Sequence, residues 1–338
     1  MPGWLTRDDL ASGARAATGL LLVSPDAESV VPRSPADAER VRAALAAAGI
    51  GPSDRVVVAL AEPAGSLWAG AAAGIGASAA SVGPRGRLRL HHALSALGAT
   101  ALVATPTGAM DLLARLHLEF LLDPLDLGLR HLVVTGEIAS KRTLSHLAEE
   151  FGARVSEVFA SPFGGGALGW RAAEDEPFTP LADLALAAPA KDEFTERSGE
   201  VVLLGGEPGG ETVLRTGFYS RDGLRPAHTV GEHVLVRGVW LALPRLRKAL
   251  ARIDGVSGWE LRLSRPGTLD SATLTVVFNR EGLVRNPMWK GRVQQAVQAL
   301  TPVSVTVEIA PEAAESGVLG AVTDLRGHHL GSDRALLG

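Results

Sequence analysis

The chain has 338 residues, of which 46% are hydrophobic, and a formal net charge of −4. This length and apolar content suffice for two domains with packed cores, and the 33 scattered lysines and arginines form no basic field, so we expect no nucleic-acid partner. The absence of cysteine excludes disulfides, thiolate metal ligands and a cysteine nucleophile.

The sequence also bears on location. No run of about 18 apolar residues occurs, so we expect no membrane span and no membrane partner. The first apolar run is preceded by Asp8 and Asp9 and interrupted by Asp26, unlike a signal peptide. We therefore expect a cytoplasmic protein, and the abundance of Ala, Gly and Arg over Lys is typical of a GC-rich bacterial genome.

Helix and strand patterns alternate along the first half of the chain. Ser34 is an N-cap and Pro35 a first helical residue, and this helix is predicted to end at Gly49. Apolar strand patterns follow, separated by helical segments. They lie at 55–61, 79–83 and 101–105, and the segment from Arg130 to Phe159 reads strand, turn, helix, strand. This alternation favours a mostly parallel sheet with helices on both faces, followed by a glycine-rich loop at 164–166.

The second half has a different pattern. Residues 199–217 predict two strands paired around a glycine turn. From Gly231 the order is strand, helix, strand, strand, helix, strand, which predicts a small ferredoxin-like α+β unit. We therefore predict an N-terminal α/β core domain at 1–230 and a C-terminal α+β domain at 231–338.

Several short segments resemble the phenylacetate-CoA ligase branch of the adenylate-forming (AMP-dependent synthetase/ligase) superfamily. They are AAAGIGPSDRV at 46–56, TGE at 135–137, SGEVVL at 198–203, RTG at 215–217 and VRGV at 236–239. The resemblance implies an α/β fold: a truncated ligase N-terminal domain with a mostly parallel sheet, followed by a small ferredoxin-like lid. It also implies an ancestry in ATP-dependent adenylation of carboxylic acids.

The residues that carry this chemistry in the family are replaced here. The family's phosphate loop, rich in glycine and containing a lysine, matches a segment without either residue type, and its magnesium-binding Glu, ribose-binding Asp and lid Lys are also missing. The replacements are Ser24, Asp26 and Glu28 in the loop, Phe163 for the Glu, Phe218 for the Asp and Val318 for the Lys. These four changes predict loss of conventional adenylation, so no cofactor is assigned.

The resemblance also nominates pocket residues. They are Glu137, Phe159, Ser161, Phe163, Gly164, Gly165 and Trp240. The glycines either bind an anion through backbone N–H groups or, the interpretation we favour, serve only to turn the chain. Glu137 is a pocket residue or, again favoured, a helix cap. Trp240, beside the domain hinge, either closes over the cleft or anchors a partner.

Two other chemistries find little support. The pairs His91-His92 and His328-His329 are adjacent rather than spaced for one metal ion. Ser161 lies outside the Gly-x-Ser-x-Gly pattern of serine hydrolases.

Three hypotheses follow. The first is a degenerate ligase-like protein, catalytically silent or nearly so, that binds an acyl or aryl ligand or a protein partner. The second is a divergent but active acyl- or aryl-CoA ligase or acyl transferase, which would use ATP, magnesium and CoA through residues such as 12–19 and Asp222. The third is a regulatory subunit in complex with an active ligase; a homodimer is compatible with all three.

Overall fold

The computed structural model describes residues 3–15, 17–24, 27, 29–84, 86–173, 175–207, 210–266, 268–315 and 320–326. The chain divides into two compact units, Met1–Ala227 and His228–Gly338. The boundary predicted from the sequence, between residues 230 and 231, lies close to this division.

The first unit is a mixed α/β structure. Its strands are β1 (Gly3–Leu5), β2 (Leu21–Val23), β3 (Val30–Pro32), β4 (Arg55–Ala59), β5 (Ser78–Ser81), β6 (Ala101–Ala104), β7 (His131–Thr135), β8 (Arg154–Ala160), β9 (Ala167–Arg171), β10 (Thr179–Pro180), β11 (Leu184–Ala187), β12 (Phe194–Thr195), β13 (Ser198–Glu207), β14 (Gly210–Arg221) and β15 (Pro226–Thr229), the last of which crosses the boundary. Its helices are α1 (Arg7–Gly13), α2 (Pro35–Ala47), α3 (Ala64–Gly74), α4 (Arg87–Leu97), α5 (Pro106–Arg115) and α6 (Lys141–Phe151).

A seven-stranded sheet forms the centre of this unit, in the order β10-β9-β8-β7-β6-β4-β5. The five neighbouring strands β5, β4, β6, β7 and β8 are parallel to one another. Strand β9 pairs antiparallel with β8, and β10 pairs antiparallel with β9. Val56 and Val58 face a core with α2 and α3, whereas Val57 and Ala59 face a second core with α4, α5 and α6. Burial on both faces explains the continuous apolar runs and confirms the predicted parallel sheet.

The helix boundaries follow local sequence signals. Helix α2 begins at Pro35 after Ser34, as predicted. Helix α5 begins at Pro106, and the N-cap side chain of Thr105 accepts a hydrogen bond from the Gly108 N–H. This helix continues as a π-helix, Leu116–Phe120, and a 3₁₀ turn follows at Pro124–Leu127.

A second sheet in the first unit has the order β1-β14-β13-β11-β12. Strands β13 and β14 form the hairpin predicted for 199–217, although residues 208 and 209 of its turn lie outside the described residues. The buried side chains of Ala187, Val202 and Val213 hold this sheet together.

The second unit is an α+β structure. Its elements are β16 (His233–Val236), β17 (Val239–Ala242), α7 (Leu243–Leu250), β18 (Val256–Ser264), β19 (Ser271–Phe278), α8 (Glu281–Val284), α9 (Pro287–Gln298), β20 (Val305–Ile309) and β21 (Ala321–Asp324). Its main sheet has the order β20-β19-β18-β21, and its core includes the fully buried Leu261, Leu274 and Phe278. The predicted order of strands and helices is confirmed, with β17, α8 and β21 added.

The pairing of β16 differs from the prediction. In a ferredoxin-like unit the first strand lies in the main sheet, but among the described residues β16 pairs with β17 alone, with Val236 opposite Val239. The two residues between these strands, Arg237 and Gly238, have φ values of 52° and 72°. Positive φ at both positions is what a two-residue type I′ hairpin loop requires, so the chain turns back on itself at once.

Candidate functional site

A small cavity lies at the carboxyl ends of β7 and β8, the edge of a parallel sheet where ligands ordinarily bind. It is lined by Gly136, Glu137, Ile138, Glu157, Val158, Phe159, Ala160, Phe178, Phe218 and Pro226. Its free volume is about 10 Å³, roughly the space of one water molecule. Sites for drug-sized ligands occupy about 300–1,000 Å³.

Three phenylalanine side chains close this cavity. Phe159 lies at the end of β8, and its ring centroid is 5.2 Å from that of Phe218 in an edge-to-face arrangement. The ring of Phe178, just before β10, lies 6.0 Å from that of Phe159. All three residues are at least 94% buried. Aromatic pairs at these distances stabilise one another, so the closure is a packed part of the core.

A buried ion pair forms one wall of the cavity. Nη2 and Nε of Arg171 donate to the same carboxylate oxygen of Glu157, at 2.6 and 2.9 Å. Both side chains are less than 10% exposed. The guanidinium carbon of Arg171 lies 4.4 Å from the centroid of the Phe178 ring, within cation–π distance. The pair therefore ties β8 and β9 to the segment that carries Phe178.

Glu137 lies on the cavity wall and also contacts the start of α5. Its carboxylate accepts hydrogen bonds from the backbone N–H of Thr107 at 3.1 Å and from the Thr107 hydroxyl at 2.8 Å. A carboxylate at a helix N-terminus satisfies donors that the helix leaves unpaired and is favoured by the helix dipole. This geometry corresponds to the favoured interpretation of Glu137 as a cap.

The glycine-rich loop is packed against two helices. The indole N–H of Trp68 on α3 donates to the carbonyl of Gly165 at 2.9 Å. A Cβ at Gly165, where φ is +77°, would lie 2.5 Å from the Cβ of Ala64, and one at Gly166 would lie 2.5 Å from the Asp37 carboxylate. Glycine is therefore required here by close approach to α2 and α3 as well as by the turn.

Other predicted residues of this loop lie outside the cavity lining. The Ser161 hydroxyl accepts a hydrogen bond from the Phe163 N–H at 3.3 Å. Phe163 is buried, with the Arg7 guanidinium 6.0 Å from its ring centroid. Arg7 also donates to the Pro162 carbonyl at 2.9 Å. A Cβ at Gly164 would contact the side chains of Leu22 and Val31 in the β2–β3 hairpin.

The segment matched to the phosphate loop is the turn of the β2–β3 hairpin. Ser24 is buried, and its hydroxyl accepts a hydrogen bond from the Ser29 N–H at 3.0 Å. A second bond runs from the Ser24 N–H to the Ser29 carbonyl. These two hydrogen bonds join the two ends of the turn. Asp26, Glu28 and Val318, like His328 and His329, lie outside the described residues.

The remaining candidates belong to other parts of the chain. Trp240 lies on β17 in the second unit, where its ring is 6.5 Å from that of His233. Asp222 is exposed in the turn after β14 with φ of 50°, so it serves the turn geometry.

Sequence reasoning missed Phe178, Glu157 and Arg171. Phe178 follows a proline in a segment without periodicity, and nothing in its neighbours predicts burial. Glu157 and Arg171 stand in strand patterns 14 residues apart, and two opposite charges within otherwise apolar strands are the one signal that predicts a buried pair.

The fold and the site can now be compared with solved structures. A 2-hydroxyisobutyryl-CoA ligase, solved with 2-HIB-AMP and CoA, superposes with a TM-score of 0.81. The alignment has 17% identity and covers 98% of this chain and 81% of that one. The chain has the fold of the adenylate-forming ligases.

Other structures share this adenylate-forming fold. The amide bond synthetase McbA from Marinactinospora thermotolerans superposes with a TM-score of 0.63 at 17% identity, over 86% of this chain and 65% of its own. The o-succinylbenzoate CoA synthetase from Bacillus subtilis gives 0.61 at 14% identity, over 90% and 68%. No protein-family model and no curated protein matches the sequence of this chain.

The cavity does not fit the cofactors of the resembled ligases. A nucleotide needs far more space than the cavity offers, and the positions matched to the magnesium-binding and ribose-binding carboxylates are the buried rings of Phe163 and Phe218. Across the residues that the structure describes, no three acidic or histidine side chains are grouped to hold a metal ion. In the same residues, no helix combines the length and apolar character needed to cross a membrane.

Proposed function

We propose that this chain is a ligase-like protein that does not adenylate acids with ATP and instead binds an acyl or aryl ligand or a protein partner. The observation that supports this proposal is the closure of the sheet edge by Phe159, Phe178 and Phe218, which leaves about 10 Å³.

Opening the cavity to admit a nucleotide would cost free energy. Admitting a nucleotide would require moving rings that are 4–6% exposed out of a packed core. Exposing one large apolar side chain costs about 1.5–3 kcal/mol, so displacing two of the three rings costs about 3–6 kcal/mol. Each 1.4 kcal/mol of that cost weakens binding tenfold.

The charges around the cavity also disfavour nucleotide binding. Its titratable lining residues are Glu137 and Glu157, both carboxylates. An incoming triphosphate would face like charge from Glu137, and the guanidinium of Arg171 is already bound to the Glu157 carboxylate. Among the described residues that line the cavity there is no lysine or arginine to stabilise the developing negative charge of an adenylation transition state.

Calorimetry and thermal denaturation with MgATP test the proposal. A ligand that binds only the native state stabilises it by about 2.7 kcal/mol at one hundred times its Kd, which corresponds to roughly 5–10 °C in Tm for a domain of this size. We expect no shift at millimolar MgATP, and no acid-dependent exchange of pyrophosphate into ATP. A 2-hydroxyisobutyryl-CoA ligase assayed in parallel is the positive control.

Two outcomes would overturn the proposal. A saturable, magnesium-dependent rise in Tm would mean that the three rings move aside for nucleotide, and pyrophosphate exchange with any carboxylic acid would establish adenylation. The binding half of the proposal is tested by the same denaturation assay with acyl and aryl acids and their CoA thioesters, and by pull-down for a protein partner. If neither stabilises or retains the chain, that half is wrong.

A further inference from the structure

The first strand and the first helix of the chain lie on the surface of the first unit. Strand β1 pairs in parallel with Thr212–Leu214 at the edge of β14, and α1 packs against β3. The backbone N–H and the hydroxyl of Thr6 donate to the Asp9 carboxylate at 2.8 and 2.7 Å, which orders the start of α1. Among the side chains described between β1 and the end of α1, only that of Arg7 is buried. We call Gly3–Gly13 the N-terminal segment.

One contact of the N-terminal segment leads to the cavity through Trp4. The guanidinium carbon of Arg215 lies 4.8 Å from the centroid of the Trp4 ring, within cation–π distance. The same guanidinium donates to one carboxylate oxygen of Glu200 at 2.6 Å, and the other oxygen accepts from the Gly217 N–H at 2.9 Å. Gly217 directly precedes Phe218, whose ring closes the cavity. The Trp4 ring therefore packs on an ion pair that holds the backbone beside Phe218.

A second contact leads to the cavity through Arg7. Its guanidinium donates to the Pro162 carbonyl at 2.9 Å. Pro162 lies in the turn that follows Phe159, the second ring of the cavity, and the Gly165 N–H closes this turn by donating to the Ser161 carbonyl at 3.0 Å. A hydrogen bond between a charged donor and a backbone carbonyl is stronger than a neutral one. Arg7 therefore holds the turn beside Phe159.

The N-terminal segment is thus attached on two sides of one cavity, at the strand that carries Phe218 and at the turn after Phe159. Its own hold on the first unit is limited, because β1 is three residues long and most of its described side chains are half-buried or exposed. A segment with few buried apolar contacts opens at a lower free energy than the core strands do. Its opening would release both sides of the cavity at once.

We propose that the N-terminal segment is a clasp that keeps the cavity closed, and that its release lets the rings of Phe159 and Phe218 separate and admit a ligand. The second half rests on the proposed function, since opening matters only if an acyl or aryl ligand enters. The first half is tested without any ligand. With the segment bound, the turn after Phe159 opens only together with the core; with the segment released, it opens by itself.

Hydrogen exchange of the full chain, followed for single amides by NMR, tests the clasp. In Trp4→Ala, the amides of Gly165 and Gly217 should exchange at least about tenfold faster than in the wild type, whereas those of the central strand β6 should change by less than about threefold. The result at Gly165 is decisive. Trp4 stacks on the other side of the cavity, so its replacement reaches Gly165 through release of the whole segment.

Arg7→Met provides the reciprocal test. Arg7 binds the turn after Phe159, yet its replacement should speed exchange at Gly217 by at least about tenfold, because both contacts belong to one clasp. Trp289→Ala is the matched control, since Trp289 stacks on Arg292 at 4.6 Å in the second unit. This control should leave the exchange at Gly217 unchanged. Trp4 is half-buried, so Trp4→Ala is expected to fold and decides the question even if Arg7→Met does not fold.

Two results would overturn the clasp. If the amides of β6 accelerate as much as that of Gly165 in Trp4→Ala, the segment only stabilises the unit as a whole. If Gly165 keeps its wild-type rate, Trp4 has no hold on the turn.

Calorimetric titration with decanoate tests the second half separately. Trp4→Ala should bind decanoate at least about tenfold more tightly than the wild type, because less of the binding free energy is spent on opening the cavity. Equal affinities would overturn the claim that release admits a ligand. Faster exchange at Gly165 and Gly217 without binding of decanoate would support the clasp and count against an acyl ligand.

Discussion

Replacing Arg171 with methionine separates the buried charge of Glu157 from its counter-charge. The native carboxylate accepts two hydrogen bonds from Arg171, and both side chains are less than 10% exposed. Methionine fills much of the same space but supplies neither the charge nor the donors. The variant therefore isolates the electrostatic contribution of the pair to the wall of the cavity.

The expected loss of stability is large because the Glu157 carboxylate remains buried in the variant. Removing one member of a buried ion pair costs about 3–5 kcal/mol, whereas replacing both with apolar or neutral groups is often close to neutral. We therefore expect Arg171→Met to lower the free energy of unfolding of the first unit by about 3 kcal/mol or more at pH 7. The double variant Glu157→Gln/Arg171→Met should recover at least half of that loss.

The pH dependence of the stability of Arg171→Met provides an independent test. In Arg171→Met, burial raises the pKa of the Glu157 carboxyl above its unfolded value of about 4.3. The native state of the variant then binds a proton more tightly than the unfolded state does. Its stability consequently falls as the pH rises from the unfolded pKa towards the folded one, by up to about 1.36 kcal/mol per pH unit.

Guanidinium denaturation of the wild type, Arg171→Met and the double variant, at pH 5 and pH 8, measures these effects. The deficit of Arg171→Met relative to wild type should be smaller at pH 5 than at pH 8. A loss below about 1 kcal/mol, or a loss that the double variant does not reduce, would refute the claim that this pair is a buried electrostatic unit.

Three further predictions concern other parts of the chain. Phe218→Ala should destabilise the first unit by about 3–5 kcal/mol and enlarge the cavity, as measured by denaturation and by binding of small aromatic molecules; a cost below 1 kcal/mol would contradict the packed closure. Burial disfavours ionisation of Asp54, but hydrogen bonds from Thr100 and Gly51 and the charge of Arg130 outweigh it and hold its pKa below the usual value. That contribution is fully present above the unfolded pKa of about 3.9 and is lost as pH falls through the folded pKa, so the deficit of Asp54→Asn at pH 7 should shrink in acid denaturation below about pH 4. Asp270→Asn removes the buried carboxylate that binds Arg326 at 2.7 Å and Arg265 at 2.7 Å, and calorimetry should record a loss of about 3 kcal/mol confined to the unfolding transition of the second unit.

The parallel sheet could be predicted because its residues carry a strong and local signal. Strands β4, β6 and β7 are apolar runs buried on both faces, and Ser34 with Pro35 defines the start of α2. These features depend on short segments of sequence. The hairpin of β16 and β17 carried a local signal as well, since Gly238 supplies one of the two positive φ angles of its turn.

The cavity wall could not be predicted in the same way. Phe178 reaches Phe159 through a loop without periodicity, and the partner of Glu157 depends on β9 running antiparallel to β8, with Glu157 opposite Arg171. Such pairing is a property of tertiary register, which the sequence pattern specifies only weakly. The resemblance nominated Phe159 as a pocket residue and Phe218 as the replacement of the ribose-binding Asp, but the contact between their rings depends on tertiary packing.

The attachment of the glycine-rich loop to α3 has a kinetic consequence. The Gly165 N–H donates to the Ser161 carbonyl, and its own carbonyl is held by the indole of the fully buried Trp68. Amide protons in such a position exchange with solvent only when a whole cooperative segment opens. Protection of the Gly165 amide should therefore match that of the central strands. Any molecule that enters beneath this loop must wait for that rare opening, and its association rate will be set by the protein rather than by diffusion.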